Sequence, residues 1–136
     1  MQAARESSVA MFKYLLVLLL VCTNASAAWQ HVGGDKDESA YVDSVVHRDR
    51  DRVKMWALFD LKAAHAFGDM AYLSMKIQRE YHCRDKKSRI VAMQAYAKNM
   101  GEGELIYSNN AREKWQAVQS DSVEEMLWNM ACKSSS

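Results

Sequence analysis

The chemistry open to this chain is limited by how its reactive residues are spaced. His31, His47, His65 and His82 are its histidines, and none lies four residues from another. There is no C-x-x-C pair. Neither a zinc site nor a covalent haem is therefore expected. No G-x-S-x-G elbow, Walker-type glycine loop or H-E-x-x-H helix occurs. Asp43, Asp60 and Glu80 could meet in space for glycoside hydrolysis, but no spacing in the sequence arranges it. Cys83 could attack a substrate only as a free thiolate, and pairing would remove that option. The expectation is a chain with no enzymatic activity and no cofactor.

Binding is the better-supported chemistry. Arg84, Lys86, Lys87 and Arg89 make a dense basic segment with only Asp85 to offset it. Such a tip could contact an anionic glycan or a lipid headgroup; the plainer alternative is a solvated turn whose cations guard strand ends. The run Arg48-Asp49-Arg50-Asp51-Arg52 alternates in sign, so its charges cancel and it reads as an exposed hairpin turn. Trp29, Trp56, Trp115 and Trp128 are the unusual large side chains. Packing is the default role for tryptophan. Trp56 is the best contact candidate, because it falls on the more polar face of its strand. The formal charge of +1 argues against nucleic acid, which needs a clear basic excess.

The amino terminus explains where such binding would take place. Lys13 precedes an apolar run from Tyr14 to Cys22, and Ala25-Ser26-Ala27 follows. A basic residue, a short apolar core and an A-x-A site read as a secretory signal peptide covering residues 1–27, with Met11 an alternative start. Nine helical residues span about 14 Å, against about 30 Å of bilayer hydrocarbon, so no transmembrane span is expected. Val21 precedes Cys22, which does not suit lipid attachment there; the product is expected in the periplasm or outside the cell. Cleavage removes Arg5, Lys13 and Glu6 and leaves a neutral chain. Two cysteines remain, Cys83 and Cys132, and an even count in an exported chain reads as one disulfide.

These residues need a frame of short elements. Val53, Met55, Ala57 and Phe59 alternate with Lys54, Trp56, Leu58 and Asp60, the period of a strand. Leu73, Met75 and Ile77 alternate with Ser74, Lys76 and Gln78, and the apolar parity runs on through Tyr81 to Cys83. Trp29–Val32, Tyr41–Val46 and Leu105–Tyr107 are shorter strand candidates, and Ile90–Lys98 reads as a further strand. Turn signals stand at Gly33–Asp35, Asp49–Asp51, Gly68-Asp69, Asp85–Ser88 and Gly101–Gly103. Ser122 and Glu125 form a capping box before Val123, Met126, Leu127 and Met130, one helical stripe. Together these predict an α+β fold: a small antiparallel sheet of about six strands with a C-terminal α-helix packed on it. Cys132 lies about 180° around an ideal helix from Val123. The pairing with Cys83 therefore predicts that the helix loosens near Ala131.

The order of these features resembles the bacterial surface-adhesin protein E family. The residues that carry the likeness begin with Trp29, Tyr41 and Asp43, then Val53-Lys54-Met55-Trp56 with Asp60 and Lys62. Ser74, Lys76 and Glu80-Tyr81-His82-Cys83 follow. Met100-Gly101-Glu102-Gly103, Trp115 and a final helix reaching Cys132 complete it. The resemblance spans Trp29 to Cys132, within one domain of residues 28–136. It implies a small antiparallel sheet, a C-terminal helix and a disulfide. Its function would be non-enzymatic binding of a macromolecule such as a host extracellular matrix protein. A periplasmic inhibitor or accessory protein acting on a bacterial envelope partner is the other reading. The chain could act alone or as a homodimer.

Overall fold

Side-chain alternation decides this fold, because a strand with one apolar face must bury that face. The computed structural model describes residues 29–133. The expected leader, its expected cleavage site at Ala27 and Cys22 lie outside the described residues. An antiparallel meander runs in sequence order through β1 (Trp29–Gly34), β2 (Glu38–Asp49), β3 (Arg52–Phe67), β4 (Met70–His82), β5 (Lys87–Tyr96) and β6 (Leu105–Asn109). A two-residue strand, β7 (Gln116–Ala117), also pairs with β5, beside Lys87 and Ser88. One helix, α1 (Val123–Lys133), closes the described chain. The expected α+β architecture is what the chain adopts.

Cross-strand register sorts the side chains into two faces. Val53, Met55, Ala57 and Phe59 stand on one face of β3, with Tyr81, Arg79, Ile77 and Met75 opposite them on β4. Helix α1 lies on this face. Leu127 and Ala131 are buried there among Val42, Val53, Met55, Ala57 and Tyr81. The Tyr81 hydroxyl is buried with no hydrogen-bond partner among the described residues, and burial pushes its pKa well above the usual phenol value.

The helix is turned relative to the expected stripe. Val123 is half exposed, and the buried ridge is Leu127–Ala131. The helix also continues through Lys133 instead of loosening at Ala131. This rotation and the disulfide go together. Cys132 lies about 40° around the helix from Trp128. That flank faces the end of β4, where the Trp128 indole donates to the His82 carbonyl at 3.1 Å. Cys83 and Cys132 are bridged with their Cα atoms 5.6 Å apart, inside the range that a disulfide needs. At the helix start, Ser122 Oγ accepts from the Glu125 amide at 3.0 Å. The Glu125 carboxylate reaches back to the Asp121 amide at 3.4 Å, one residue earlier than a regular capping box would take it.

Strands β3 and β4 are longer than their alternation suggested. Their last turns, Lys62–Phe67 and Met70–Tyr72, form a two-stranded ribbon beyond the reach of β2 and β5. Nearly every residue from Lys62 to Tyr72 is exposed. At its tip the Phe67 ring meets Tyr107 of β6 at 5.1 Å. No helix among the described residues is long and apolar enough to cross a membrane.

The bridge closes a loop of 49 residues, worth about 4 kcal/mol by chain entropy. Cys132→Ser is therefore expected to lower the thermal midpoint by more than about 10 °C, read from circular dichroism. An unchanged midpoint would mean that the Leu127–Ala131 packing holds the helix without the bridge.

Candidate functional site

The basic segment after β4 is where a charge run suggested contact, and the fold uses most of those charges internally. Arg84 pairs with Asp51 at 3.4 Å. Lys86 bonds Glu125 at 2.5 Å, and that bond holds the Glu125 carboxyl below its usual pKa, helped by the Asp121 amide. Arg89 turns onto the sheet, where Nε and Nη2 both donate to Oε1 of the buried Glu80, at 2.9 and 2.6 Å. Its guanidinium also lies 4.3 Å from the Trp115 ring centre, a stacking arrangement suited to arginine. Lys87 alone of the four is exposed with no ion pair among the described residues. The segment is thus a clasp between the sheet end and α1, extended by Ser88 Oγ bonding Glu124.

Two of the four tryptophans belong to that clasp. Trp128 packs under Lys86, and Trp115 meets His82 edge-on at 5.8 Å. The other two stand on the face opposite α1, where Arg89 and Trp115 occupy one end and Trp29 and Trp56 lie farther along. Register places Trp56, Leu58 and Asp60 of β3 beside Gln78, Lys76 and Ser74 of β4. It places Gln94 beside Lys76 and Tyr96 beside Ser74. Trp29, paired with Asp43 on the outer strands, forms the rim. Trp29, Asp43, Trp56, Lys76 and Gln94 line a cavity of about 210 Å³. Of these, Trp56 is a contact candidate from the sequence; the other four come from four separate strands and share no local spacing that would group them. The polar parity of Ser74, Lys76 and Gln78 was the available signal.

A loop holds this cavity open at one end. Asp60 Oδ1 accepts from the Met100 amide at 2.7 Å and from Asn99 Nδ2 at 3.0 Å. Ser74 Oγ donates to the Lys98 carbonyl at 2.6 Å and accepts from the Gly101 amide at 2.8 Å. These bonds fold a 3₁₀ turn, Asn99–Gly101, over β3 and β4 and bury Ser74 completely. Gly101 has φ +69°, and the Lys76 stem passes where its Cβ would stand. The Lys76 ammonium then sits 5.0 Å from the Tyr96 ring centre and 5.8 Å from that of Trp29. No carboxylate pairs with it among the described residues.

Further along the same face a second cavity of about 330 Å³ gathers His47, Arg52, Lys54 and Arg112 around Asp49 and Glu80. Lys54 and Trp56 are two residues apart on β3, about 7 Å, so the two cavities adjoin. No group of three His, Cys, Asp or Glu comes together among the described residues in a way that could hold a metal ion.

The family model for surface-adhesin protein E matches residues 29–133. Solved structures of protein E from Haemophilus influenzae share the fold. The crystal structure of protein E from a non-typeable strain has a TM-score of 0.61 at 14% identity, covering 81% of this chain and 78% of that one. A second crystal form superposes with a TM-score of 0.62 at 13% identity, covering 81% and 91%. No curated protein sequence matches the chain.

Gly101→Ala tests the loop's part in setting Lys76. The left-handed backbone costs a non-glycine residue about 1–2 kcal/mol, and the new methyl displaces the Lys76 stem. The expected result is a stability loss of that size in urea unfolding, together with a moved Trp29 indole signal in NMR. An unmoved signal would show that Lys76 is positioned without Gly101.

Proposed function

Since this chain belongs to the surface-adhesin protein E family, we propose that it is an exported, non-enzymatic binding module that holds a macromolecule against the sheet face opposite α1. One observation carries this reading. All four tryptophans are partly buried, but Trp29 and Trp56 line a cavity on that face, while Trp115 and Trp128 are held by His82, Arg89 and Lys86. Tryptophan bordering a partly desolvated pocket is the kind of anchor on which binding energy concentrates. The face also carries cations with no ion pair among the described residues, whereas the basic segment at Arg84–Arg89 is largely neutralised. This favours Trp56 over Arg84, Lys86 and Arg89 as the contact, with Lys87 the exposed remainder.

The partner in this reading is a macromolecule met outside the cytoplasm, such as an extracellular matrix protein. The mature chain is measured on immobilised matrix proteins, with Trp56→Ala beside Lys87→Ala. Trp56→Ala is expected to weaken binding by about tenfold or more, a loss of roughly 1.4 kcal/mol or more. Lys87→Ala is expected to bind like the parent. Equal binding by Trp56→Ala would move the contact off this face. No matrix binding, with capture of one envelope protein instead, would favour the accessory-protein reading.

Export is proposed through the leader ending at Ala27. Intact mass of the protein recovered outside the cytoplasm should correspond to a chain beginning at Ala28. A diacylglycerol-bearing chain beginning at Cys22 would overturn this and make the protein membrane-anchored.

A further inference from the structure

We infer that the cavity between Trp29 and Trp56 takes an acidic sugar, one carboxylated unit of an anionic glycan. The sugar ring lies against the indoles and its carboxylate meets Lys76. This rests on the reading that the open face is the binding surface, and it names the ligand class.

The first argument is the unanswered charge of Lys76. Its ammonium is half-buried, 5.0 Å and 5.8 Å from two aromatic ring centres, and has no ion pair among the described residues. A partly desolvated cation favours a counter-charge. The nearest candidate in the cavity is Asp43, which is not within ion-pair distance. Its Oδ1 is already engaged by the Val45 amide at 2.8 Å. A ligand anion can complete Lys76 without disturbing any bond the fold needs.

The second argument is shape and chemistry. The cavity, about 210 Å³, falls below the roughly 300–1,000 Å³ of pockets for drug-sized ligands, so it suits a single ring. Indole faces offer a flat apolar platform that matches the C–H face of a pyranose. Gln94 Oε1 accepts from Tyr96 at 2.8 Å, which leaves its amide N–H groups to donate, and the second oxygen of Asp43 can accept. Donor and acceptor on the cavity wall fit sugar hydroxyls.

The third argument is what lies next to it. Lys54, Arg52 and Arg112 border the adjoining cavity, and none is in an ion pair among the described residues. The next acidic units of a chain would meet cations there. A single-stranded nucleic acid also combines charge with stacking. The sugar is favoured because the total charge lacks the basic excess that phosphate polymers need.

The test uses the mature chain with three short probes: a glucuronate-containing oligosaccharide, a sialylated oligosaccharide and a neutral one of equal length. NMR follows the four indole N–H signals, assigned by substitution, and calorimetry gives affinity. Binding of an acidic probe should shift Trp29 and Trp56 and leave Trp115 and Trp128 in place. The neutral probe should shift none. Lys76→Met, which keeps the stem against Gly101, and Trp56→Ala should each weaken the acidic probe about tenfold or more. Whichever acidic probe binds more tightly identifies the source, uronate or sialate. Equal binding of the neutral probe, full affinity in Lys76→Met, or an oligonucleotide that outcompetes both sugars would overturn the inference. If no acidic sugar binds while Trp56→Ala still loses its macromolecule, the sugar is wrong and the binding face stands.

Discussion

A sheet has two faces, and one eleven-residue helix can cover only part of one of them. The rest of this structure follows from that inequality. Helix α1 buries Leu127 and Ala131 over Val53, Met55, Ala57 and Tyr81, toward the end where β3 starts and β4 finishes. Among the described residues the opposite face has no second layer, so its side chains must be satisfied by shorter means. A 3₁₀ turn pinned by Asp60 and Ser74 covers one end. Arg89, stacked on Trp115 and bonded to Glu80, fills the other. What remains between them is a trough walled by tryptophan. The uncovered face is therefore a direct product of how little helix the described residues form.

The sheet was legible because its core face is written at period two. Val53 to Phe59 and Ile77 to Cys83 carry that signal through the two central strands, and Cys83 packs against the core as its parity implies. The distal halves of β3 and β4 were not legible for the same reason. From Ala63 to Ala71 neither face is buried, so nothing selects alternating residues, and small and aromatic side chains mix freely. The helix was legible in its start and type but not in its rotation. Apolar residues at Val123, Met126, Leu127 and Met130 leave the stripe broad, and Trp128 and Ala131 widen it further. The disulfide and the Trp128 bond to the His82 carbonyl choose among the possible rotations.

Charge was the least legible property. Arg84, Lys86 and Arg89 look free in the sequence because their partners are remote: Asp51 in the preceding hairpin turn, Glu125 in the helix and Glu80 across the strand pair. Lys76 shows the reverse. In sequence it is an ordinary polar position on a strand, yet the fold leaves it between two rings with no carboxylate. Local density of charge says little about which cations are available, since a meander returns distant strands to one face.

The bridge between Cys83 and Cys132 also divides the chain mechanically. Pulled from its ends, the chain cannot draw out the 49-residue segment the bridge encloses, which withholds roughly 170 Å of contour at about 3.4 Å per extended residue. That locked segment carries β5, β6, β7 and α1. Only the strands before it can peel, and an antiparallel meander peels from its free edge inward, one strand at a time. The edge that yields first is β1, the wall that bears Trp29, while Gln94 stays inside the locked loop. Under shear the molecule would lose the rim of its trough well before it lost the floor.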